Sequence, residues 1–280
     1  MTFSSDTMAL NHPDTVPYLT YHSLSEIKFI RHAFTTRLGG VSEGEFTSMN
    51  MAFNRGDDPD HVTGNYRRFC LSAGFDFDSL TASAQDHHTF VRPVTKENRG
   101  VGIYKPRDME SVDGLITNEP GVTLVTYYAD CTPLFFVDTK NKAIGLAHAG
   151  WRGTVGRIGE KVLEKMHECY GTDPADIVAA VGPAISRCCY EVDEPCAKHF
   201  LAMTDLQPEK FVFPKEGEKF MLDLLETNRQ ILVAAGVKPE NITVSDLCTN
   251  CHSDLLWSHR ATKGRRGTMS AMMAITDQSR

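Results

Sequence analysis

Residues 143–153 read Ala-Ile-Gly-Leu-Ala-His-Ala-Gly-Trp-Arg-Gly, an apolar run that ends in a histidine and a Trp-Arg pair with glycine on both sides. The run over 143–147 predicts a buried strand, and the apolar spacing of 154–170 predicts a helix after the turn. The flanking glycines let the backbone approach a ligand closely, and the first turn of a helix offers free N–H groups. The stretch therefore predicts a strand, a turn suited to an anion and a helix, or else an ordinary turn around a packed tryptophan.

The composition is that of an ordinary globular protein, with 280 residues, 41% of them hydrophobic and 23% charged. The net charge of −7 disfavours a nucleic-acid polymer as partner, although a local basic pocket for a small anion is compatible with it. No stretch reaches the roughly 20 apolar residues of a membrane span, and the first residues lack the pattern of a secretory signal. We therefore expect a cytoplasmic protein that does not engage a membrane.

Strand-like apolar runs alternate with helical patterns and hairpin-like segments along the chain. This alternation favours an α+β fold, with mixed α/β architecture, over a fold built on an all-parallel sheet. Residues 1–26 show no sustained period and are predicted to be a tail or an edge segment, whereas 27–280 are predicted to form the single main domain. Within that domain, 80–94 reads as strand material around His87 and His88, whose side chains would then face opposite sides.

The eight cysteines fit reduced thiols better than a disulfide framework. Cys248 and Cys251 have the two-residue gap of half a zinc knuckle, but a second half at knuckle spacing is missing. Cys188 and Cys189 are adjacent, which makes a structural bridge between them awkward. The sequence therefore predicts no classical zinc finger, and it leaves Cys248 and Cys251 to packing or thiol chemistry.

Three residues with metal-binding side chains, His87, Cys131 and His148, each stand at the end of an apolar run beside a turn. They are too far apart for a local metal clip, but two imidazoles and a thiolate suit catalytic zinc if the fold unites them. The alternatives are ordinary strand-end residues and a metal-free cysteine hydrolase or deamidase, with Cys131 as nucleophile and His148 as base. Asp130 would orient a ligand imidazole, carry a proton or serve as a structural carboxylate.

Six segments, in order over residues 30–275, resemble the successive motifs of the laccase-domain (YfiH-type) family. They are Thr36-Arg37-Leu38-Gly39-Gly40-Val41-Ser42, Gln85-Asp86-His87, Ala129-Asp130-Cys131-Thr132-Pro133, His148-Ala149-Gly150-Trp151-Arg152-Gly153, Gly182-Pro183-Ala184-Ile185 with Cys189-Tyr190-Glu191-Val192, and Ser258-His259-Arg260. Members of this family, once called polyphenol oxidases, are described as zinc-dependent purine nucleoside phosphorylases with adenosine deaminase activity. The resemblance implies a single-domain, internally duplicated, four-layer α/β/β/α fold.

The resemblance also implies a ligand set and a reaction. The family's metal triad falls on His87, Cys131 and His148, with Zn²⁺ as the expected ion and Cu²⁺ as the alternative. The substrates would be inorganic phosphate and purine nucleosides of the adenosine, inosine, guanosine and methylthioadenosine class. Phosphorolysis would cleave the nucleosides to free base and ribose 1-phosphate. The enzyme would be a monomer or homodimer. A non-catalytic zinc protein is a further alternative, and a copper polyphenol oxidase is disfavoured because the chain lacks repeated His-x-His pairs.

Phosphate calls for arginines, whose forked donors bind oxyanions in pairs. Arg37, Arg152 and Arg260 lie in or beside glycine-rich or strand-end motifs and are the predicted phosphate ligands, with Asn50 as a further substrate contact. The chain departs from the family pattern at two positions, with His88 where glycine is common and Thr268 where arginine is common. Either departure could alter the pocket, and His88 could compete as a metal ligand.

Overall fold

The computed structural model describes residues 3–12 and 14–276, which form two six-stranded sheets and one three-stranded sheet. The first sheet contains β1 (Met8–Asn11), β2 (Tyr18–Tyr21), β3 (Ile30–Thr35), β4 (Leu80–Ala82), β7 (Thr123–Tyr128) and β15 (Met269–Ile275). The second contains β5 (Val91–Pro93), β6 (Gly114–Thr117), β8 (Thr132–Asp138), β9 (Ala143–Ala149), β10 (Ile177–Val181) and β14 (Ile242–Val244). The third contains β11 (Glu191–Asp193), β12 (Val212–Lys215) and β13 (Lys219–Leu222).

The strand orders are β1-β2-β3-β15-β7-β4 and β14-β10-β8-β9-β6-β5 in the two large sheets, and β11-β13-β12 in the small one. The helices are α1 (His22–Ser25), α2 (Pro59–Ala73), α3 (Trp151–Val155), α4 (Ile158–Tyr170), α5 (Glu194–Leu201), α6 (Leu224–Ala234) and α7 (His259–Thr262). Among the described residues, no helix has both the length and the apolar character that a membrane crossing requires.

The two large sheets pack face to face around a shared apolar core that includes Phe34 and Phe135. Helix α2 covers the outer face of the first sheet through Tyr66 and Phe69. Helices α4 and α6 cover the outer face of the second sheet, where Val162 joins the apolar cluster. This stacking confirms the mixed α/β, four-layer arrangement, in which each half is a six-stranded sheet with a helical layer outside it.

The segment around 143–153 forms the predicted strand, turn and helix with one correction. Strand β9 is buried along its whole length, and the predicted helix is broken into α3 and α4. The break lies at Gly156 and Arg157, where Arg157 has a φ of +60°, in the left-handed region that a continuous helix cannot accommodate. Position 156 has no room for a side chain, because a Cβ on Gly156 would lie 2.7 Å from Thr89.

The prediction of strand over 80–94 is wrong for most of that segment. Only β4 and β5 are extended, and they belong to different sheets, so 83–90 is a loop that crosses between the two. In this loop a side chain makes the hydrogen bonds that strand pairing would otherwise provide. The Gln85 amide donates to the Tyr127 carbonyl at 2.8 Å and accepts from the Tyr127 N–H at 2.6 Å. The loop brings His87 to the ends of strands from the second sheet.

Candidate active site

The fold brings His87, Cys131 and His148 together, with one ligand atom of each within 4.8 Å of the others. Strand β9 carries His148, and Cys131 directly precedes the neighbouring antiparallel strand β8, in which Pro133 pairs with His148. The crossing loop supplies His87, whose ring centroid lies 4.8 Å from that of His148. Three residues that are remote in sequence thus form one cluster, as the zinc hypothesis requires.

Asp113, which the sequence analysis missed, organises this cluster. Its fully buried carboxylate accepts a hydrogen bond from His148 Nδ1 at 2.7 Å. It also accepts the backbone N–H groups of Asp86, His87 and His88 at 3.0 to 3.2 Å. One carboxylate therefore fixes the His148 ring, leaves Nε2 as the nitrogen available to a metal, and holds the His87 loop in place.

The strain in the loop shows what Asp113 has to stabilise. His87 has a φ of +71°, in the left-handed region that favours glycine. The hydrogen bond from its N–H to the Asp113 carboxylate, at 3.1 Å, supports that conformation. The only sequence signal for Asp113 is a carboxylate immediately before a buried strand, β6, which pairs with β9.

The titration properties of the cluster suit a bound cation. Burial lowers the pKa of His148, but the neighbouring Cys131 and Asp113 side chains raise it to about 9. Burial lowers the pKa of His87 below its ordinary value, and the charge on His148 lowers that pKa further. The site therefore holds a cationic imidazole between the Cys131 sulfur and the Asp113 carboxylate, a place that a metal ion can take from the proton.

Gly150 lies so close to the cluster that a side chain at this position would clash with its members. Its φ is −69°, so its backbone conformation does not require glycine. A Cβ at this position would lie 2.6 Å from His87 Nδ1 and 3.2 Å from Cys131 Sγ. Only glycine lets the turn pass this close to the two side chains. Two imidazoles, a thiolate, an orienting carboxylate and this cleared space together fit a zinc or copper ion.

The cluster forms one wall of a cavity of about 200 Å³ that is also lined by Gln85, Tyr127 and the guanidinium groups of Arg55, Arg107 and Arg266. Burial and the nearby charge of Arg55 lower the pKa of Arg266 to about 10. The buried Arg266 Nε has no hydrogen-bond partner among the described residues. A cavity that combines two imidazoles and a thiol with three arginines suits an anionic substrate.

The predicted phosphate ligands Arg37, Arg152 and Arg260 lie outside the lining of this cavity. Arg37 stacks on Trp257 and donates to main-chain carbonyls, including that of Ser253 at 2.7 Å. Arg260 donates to the carbonyl oxygens of Cys189 and Glu191. Both guanidinium groups thus join separate segments of the chain, which is a structural task.

Arg152 does not line the cavity, and its guanidinium group stacks on the Trp151 ring at 4.2 Å. Its charge still acts on the cluster, because it contributes to the lowered pKa of His87. Of this turn, His148 therefore lines the cavity and Arg152 does not. The arginines beside the cluster come from other segments.

Asn50 and Asp130 also have structural partners. The fully buried Asn50 side chain donates to Ala52 O and accepts from the N–H groups of Ala52 and Thr268, so it shapes the cavity wall without lining it. Asp130 accepts from the Thr249 hydroxyl at 2.6 Å and from the Arg260 N–H at 2.7 Å. Asp113, and not Asp130, is the carboxylate that orients the ligand imidazole.

The two departures from the family pattern have visible outcomes. His88 Nδ1 lies 2.6 Å from Ser111 Oγ and 3.2 Å from Asp86 Oδ1, in an exposed group outside the cluster. At the other departure, the Arg266 guanidinium donates to Thr268 Oγ1 at 3.0 Å and lines the cavity. An arginine two residues before Thr268 therefore supplies a guanidinium to this part of the site.

Residues 31–276 match the family model described as multi-copper polyphenol oxidoreductase laccase. The chain belongs to the laccase-domain family. The purine nucleoside phosphorylase YlmD of Geobacillus stearothermophilus is 39% identical over 247 residues, 87% of this chain and 89% of the relative. A purine nucleoside phosphorylase of Deinococcus radiodurans is 39% identical over 246 residues, 88% of this chain and 89% of the relative.

Solved structures of the laccase-domain family show the same fold. The hypothetical protein YfiH of Bacillus licheniformis has a TM-score of 0.89 at 32% identity, covering 95% of this chain and 99% of the other. YlmD from Geobacillus stearothermophilus has a TM-score of 0.86 at 35% identity, covering 96% of this chain and 99% of the other. The expected family and fold are thus confirmed, and the phosphorylase names of the relatives support an enzyme of the transferase class.

Proposed function

We propose that this laccase-domain protein is a zinc-dependent purine nucleoside phosphorylase that also deaminates adenosine. The observation that carries the proposal is the shared cavity, in which His87, Cys131 and His148 face the guanidinium groups of Arg55 and Arg266. Relatives named purine nucleoside phosphorylase, at up to 39% identity, support the reaction class. A cytoplasmic location and a monomeric or homodimeric state stay predictions from the sequence.

The phosphate is assigned to the arginines that line the cavity. Arg55 and Arg266 both line the cavity, and Arg55 lies close enough to lower the Arg266 pKa. Two guanidinium groups held this near each other repel, so a bound dianion would relieve the repulsion while accepting their N–H groups. Phosphorolysis joins a phosphate oxygen to C1′ of the ribose as the bond to the purine breaks, and these arginines would hold the phosphate for that attack.

The triad would hold the metal through the nitrogen atoms of His87 and His148 and the sulfur of Cys131. When bound, zinc supplies Lewis acidity, which lowers the pKa of water and suits hydrolytic removal of the adenine amino group. Asp113 keeps His148 in the tautomer that presents Nε2, and Gly150 leaves the space beside His87 and Cys131 free. Copper is the alternative ion, because the same donors also suit it.

A metal-free cysteine hydrolase is the second candidate, and one observation favours it. Cys131, His148 and Asp113 form a thiol–imidazole–carboxylate series in which the carboxylate orients the base. This candidate predicts that activity survives removal of the metal and is lost when Cys131 is alkylated. The phosphorylase proposal predicts loss of activity with the metal.

The test is a product analysis with zinc-quantified protein. Adenosine, inosine and methylthioadenosine are each incubated with and without inorganic phosphate, and the products are separated by chromatography. Release of free base and ribose 1-phosphate that requires phosphate supports phosphorolysis, and formation of inosine from adenosine without phosphate supports deamination. Zinc-loaded protein that converts none of these nucleosides would refute the proposal.

A further inference from the structure

We propose that Cys188, Cys189, Cys248 and Cys251 bind a second zinc ion, with four thiolate ligands and a structural role. Their four Sγ atoms lie within 4.8 Å of one another. Cys251 Sγ is 3.6 Å from Cys188 Sγ and 3.4 Å from Cys189 Sγ. Zinc–sulfur bonds of about 2.3 Å in a tetrahedron place the sulfurs roughly 3.8 Å apart, so the cluster needs only small shifts to close around an ion.

The fold supplies the second half of the site that the sequence lacks locally. Strands β10 and β14 run parallel as neighbours, so the segments that follow them leave the sheet at the same edge. Ala184 and Cys248 form an isolated bridge between these segments, and the Thr249 N–H donates to Ala184 O at 3.1 Å. The adjacent pair at 188–189 is thereby held against the Cys-x-x-Cys turn at 248–251.

The surroundings of the sulfurs resemble those of metal-bound thiolates. The Ser186 N–H donates to Cys248 Sγ at 3.4 Å, and the Asn250 amide donates to Cys189 Sγ at 3.2 Å. Such N–H donors stabilise negative charge on sulfur and fix the direction of its lone pairs. Cys251 contacts both Cys188 and Cys189 at similar distances, which is the arrangement of one shared centre and not of a single thiol pair.

Contacts of the same two segments show what the ion would stabilise. Thr249, between the two cysteines of the turn, donates its hydroxyl to Asp130, and Asp130 also accepts from the Arg260 N–H. The Arg260 guanidinium in turn donates to the Cys189 carbonyl at 3.3 Å. Asp130 precedes Cys131 directly. A zinc ion bound by the four cysteines would therefore stabilise the packing of two loops against the segment that carries Cys131.

Metal content in four variants tests the proposal. We expect two zinc equivalents per chain in the wild type, one in Cys251→Ser, one in His148→Ala and none in the double variant, by elemental analysis after desalting. Cys169→Ser, which changes another exposed cysteine outside the cluster, should keep two. Equal zinc content in Cys251→Ser and the wild type would overturn the proposal, as would a disulfide between any two of the four cluster cysteines in the wild type purified without reductant.

A spectroscopic measurement keeps the proposal testable if Cys251→Ser fails to fold. Zinc X-ray absorption of His148→Ala, in which the cysteines are intact, should show a shell of four sulfurs at about 2.3 Å. A mixed nitrogen and sulfur shell, or protein without zinc, would overturn the assignment. Cobalt substitution of the same variant should give the intense visible absorption of tetrahedral cobalt thiolate, and weak octahedral absorption would contradict it.

Discussion

Replacing Asp113 by asparagine tests the residue that orients the proposed metal centre. The carboxylate accepts from His148 Nδ1 and from three backbone N–H groups, and it is fully buried. The substituted amide would keep one oxygen but direct an NH₂ group at one set of these donors. Losing one charge-assisted hydrogen bond costs about 1.5 to 3 kcal/mol, which corresponds to a decrease in zinc affinity of about 10- to 100-fold.

The assay is zinc competition with a chromophoric chelator, together with kcat and KM for inosine. We expect a weaker zinc affinity and a lower kcat that excess zinc partly restores, because the ligands themselves remain. Asp138→Asn is the matched control, since Asp138 is also a buried carboxylate that accepts backbone N–H groups, at the opposite end of β8. An unchanged zinc affinity in Asp113→Asn, or an equal loss in Asp138→Asn, would refute the reasoning.

Three further predictions concern separate parts of the molecule. Gly150→Ala should abolish zinc binding at the triad while leaving the fold intact by circular dichroism, because the new Cβ would lie 2.6 Å from His87 Nδ1; zinc binding at wild-type affinity would contradict this. Arg266→Gln should raise the KM for phosphate about tenfold or more with little effect on the zinc content, whereas Arg187→Gln, at an arginine stacked on Phe213, should leave that KM unchanged. Burial lowers the pKa of His32 from 6.5 to about 4, so the unfolded chain takes up the proton first as the pH falls. Stability should therefore drop by roughly 2 to 3 kcal/mol between those pH values, and urea unfolding of His32→Gln, which keeps an acceptor for the Tyr21 N–H, should show a smaller drop than the wild type.

Apolar periodicity along the sequence correctly predicted the strand and the helix whose burial depends on residues close together in the chain. Strand β9 and the buried face of α4 follow from apolar periodicity, which is a property of neighbouring residues. The three residues of the metal triad could be proposed from their chemistry, but their union depends on the pairing of β8 with β9 and on a loop that crosses between sheets. The family resemblance, and not the spacing, joined them at the level of sequence.

The rest of the site depends on contacts that have no local signal. Asp113 is important because three N–H groups of an aperiodic loop converge on it, and no pattern in the sequence predicts that convergence. Arg266 belongs to a short basic run that resembles an exposed loop, whereas Arg37 and Arg260, in more suggestive motifs, bind main-chain carbonyls. The glycine-rich motifs therefore supply His148 to the cavity lining, whereas the arginines that line the cavity come from segments outside those motifs.

The most direct test of the metal-dependent phosphorylase account is phosphate-dependent release of hypoxanthine from inosine as zinc is returned to chelator-treated protein. The account predicts negligible release before zinc is added, a rise in proportion to the zinc bound at the triad, and no release at any zinc level from His148→Ala. Chelated wild-type protein that releases hypoxanthine as fast as the zinc-loaded protein would contradict the account.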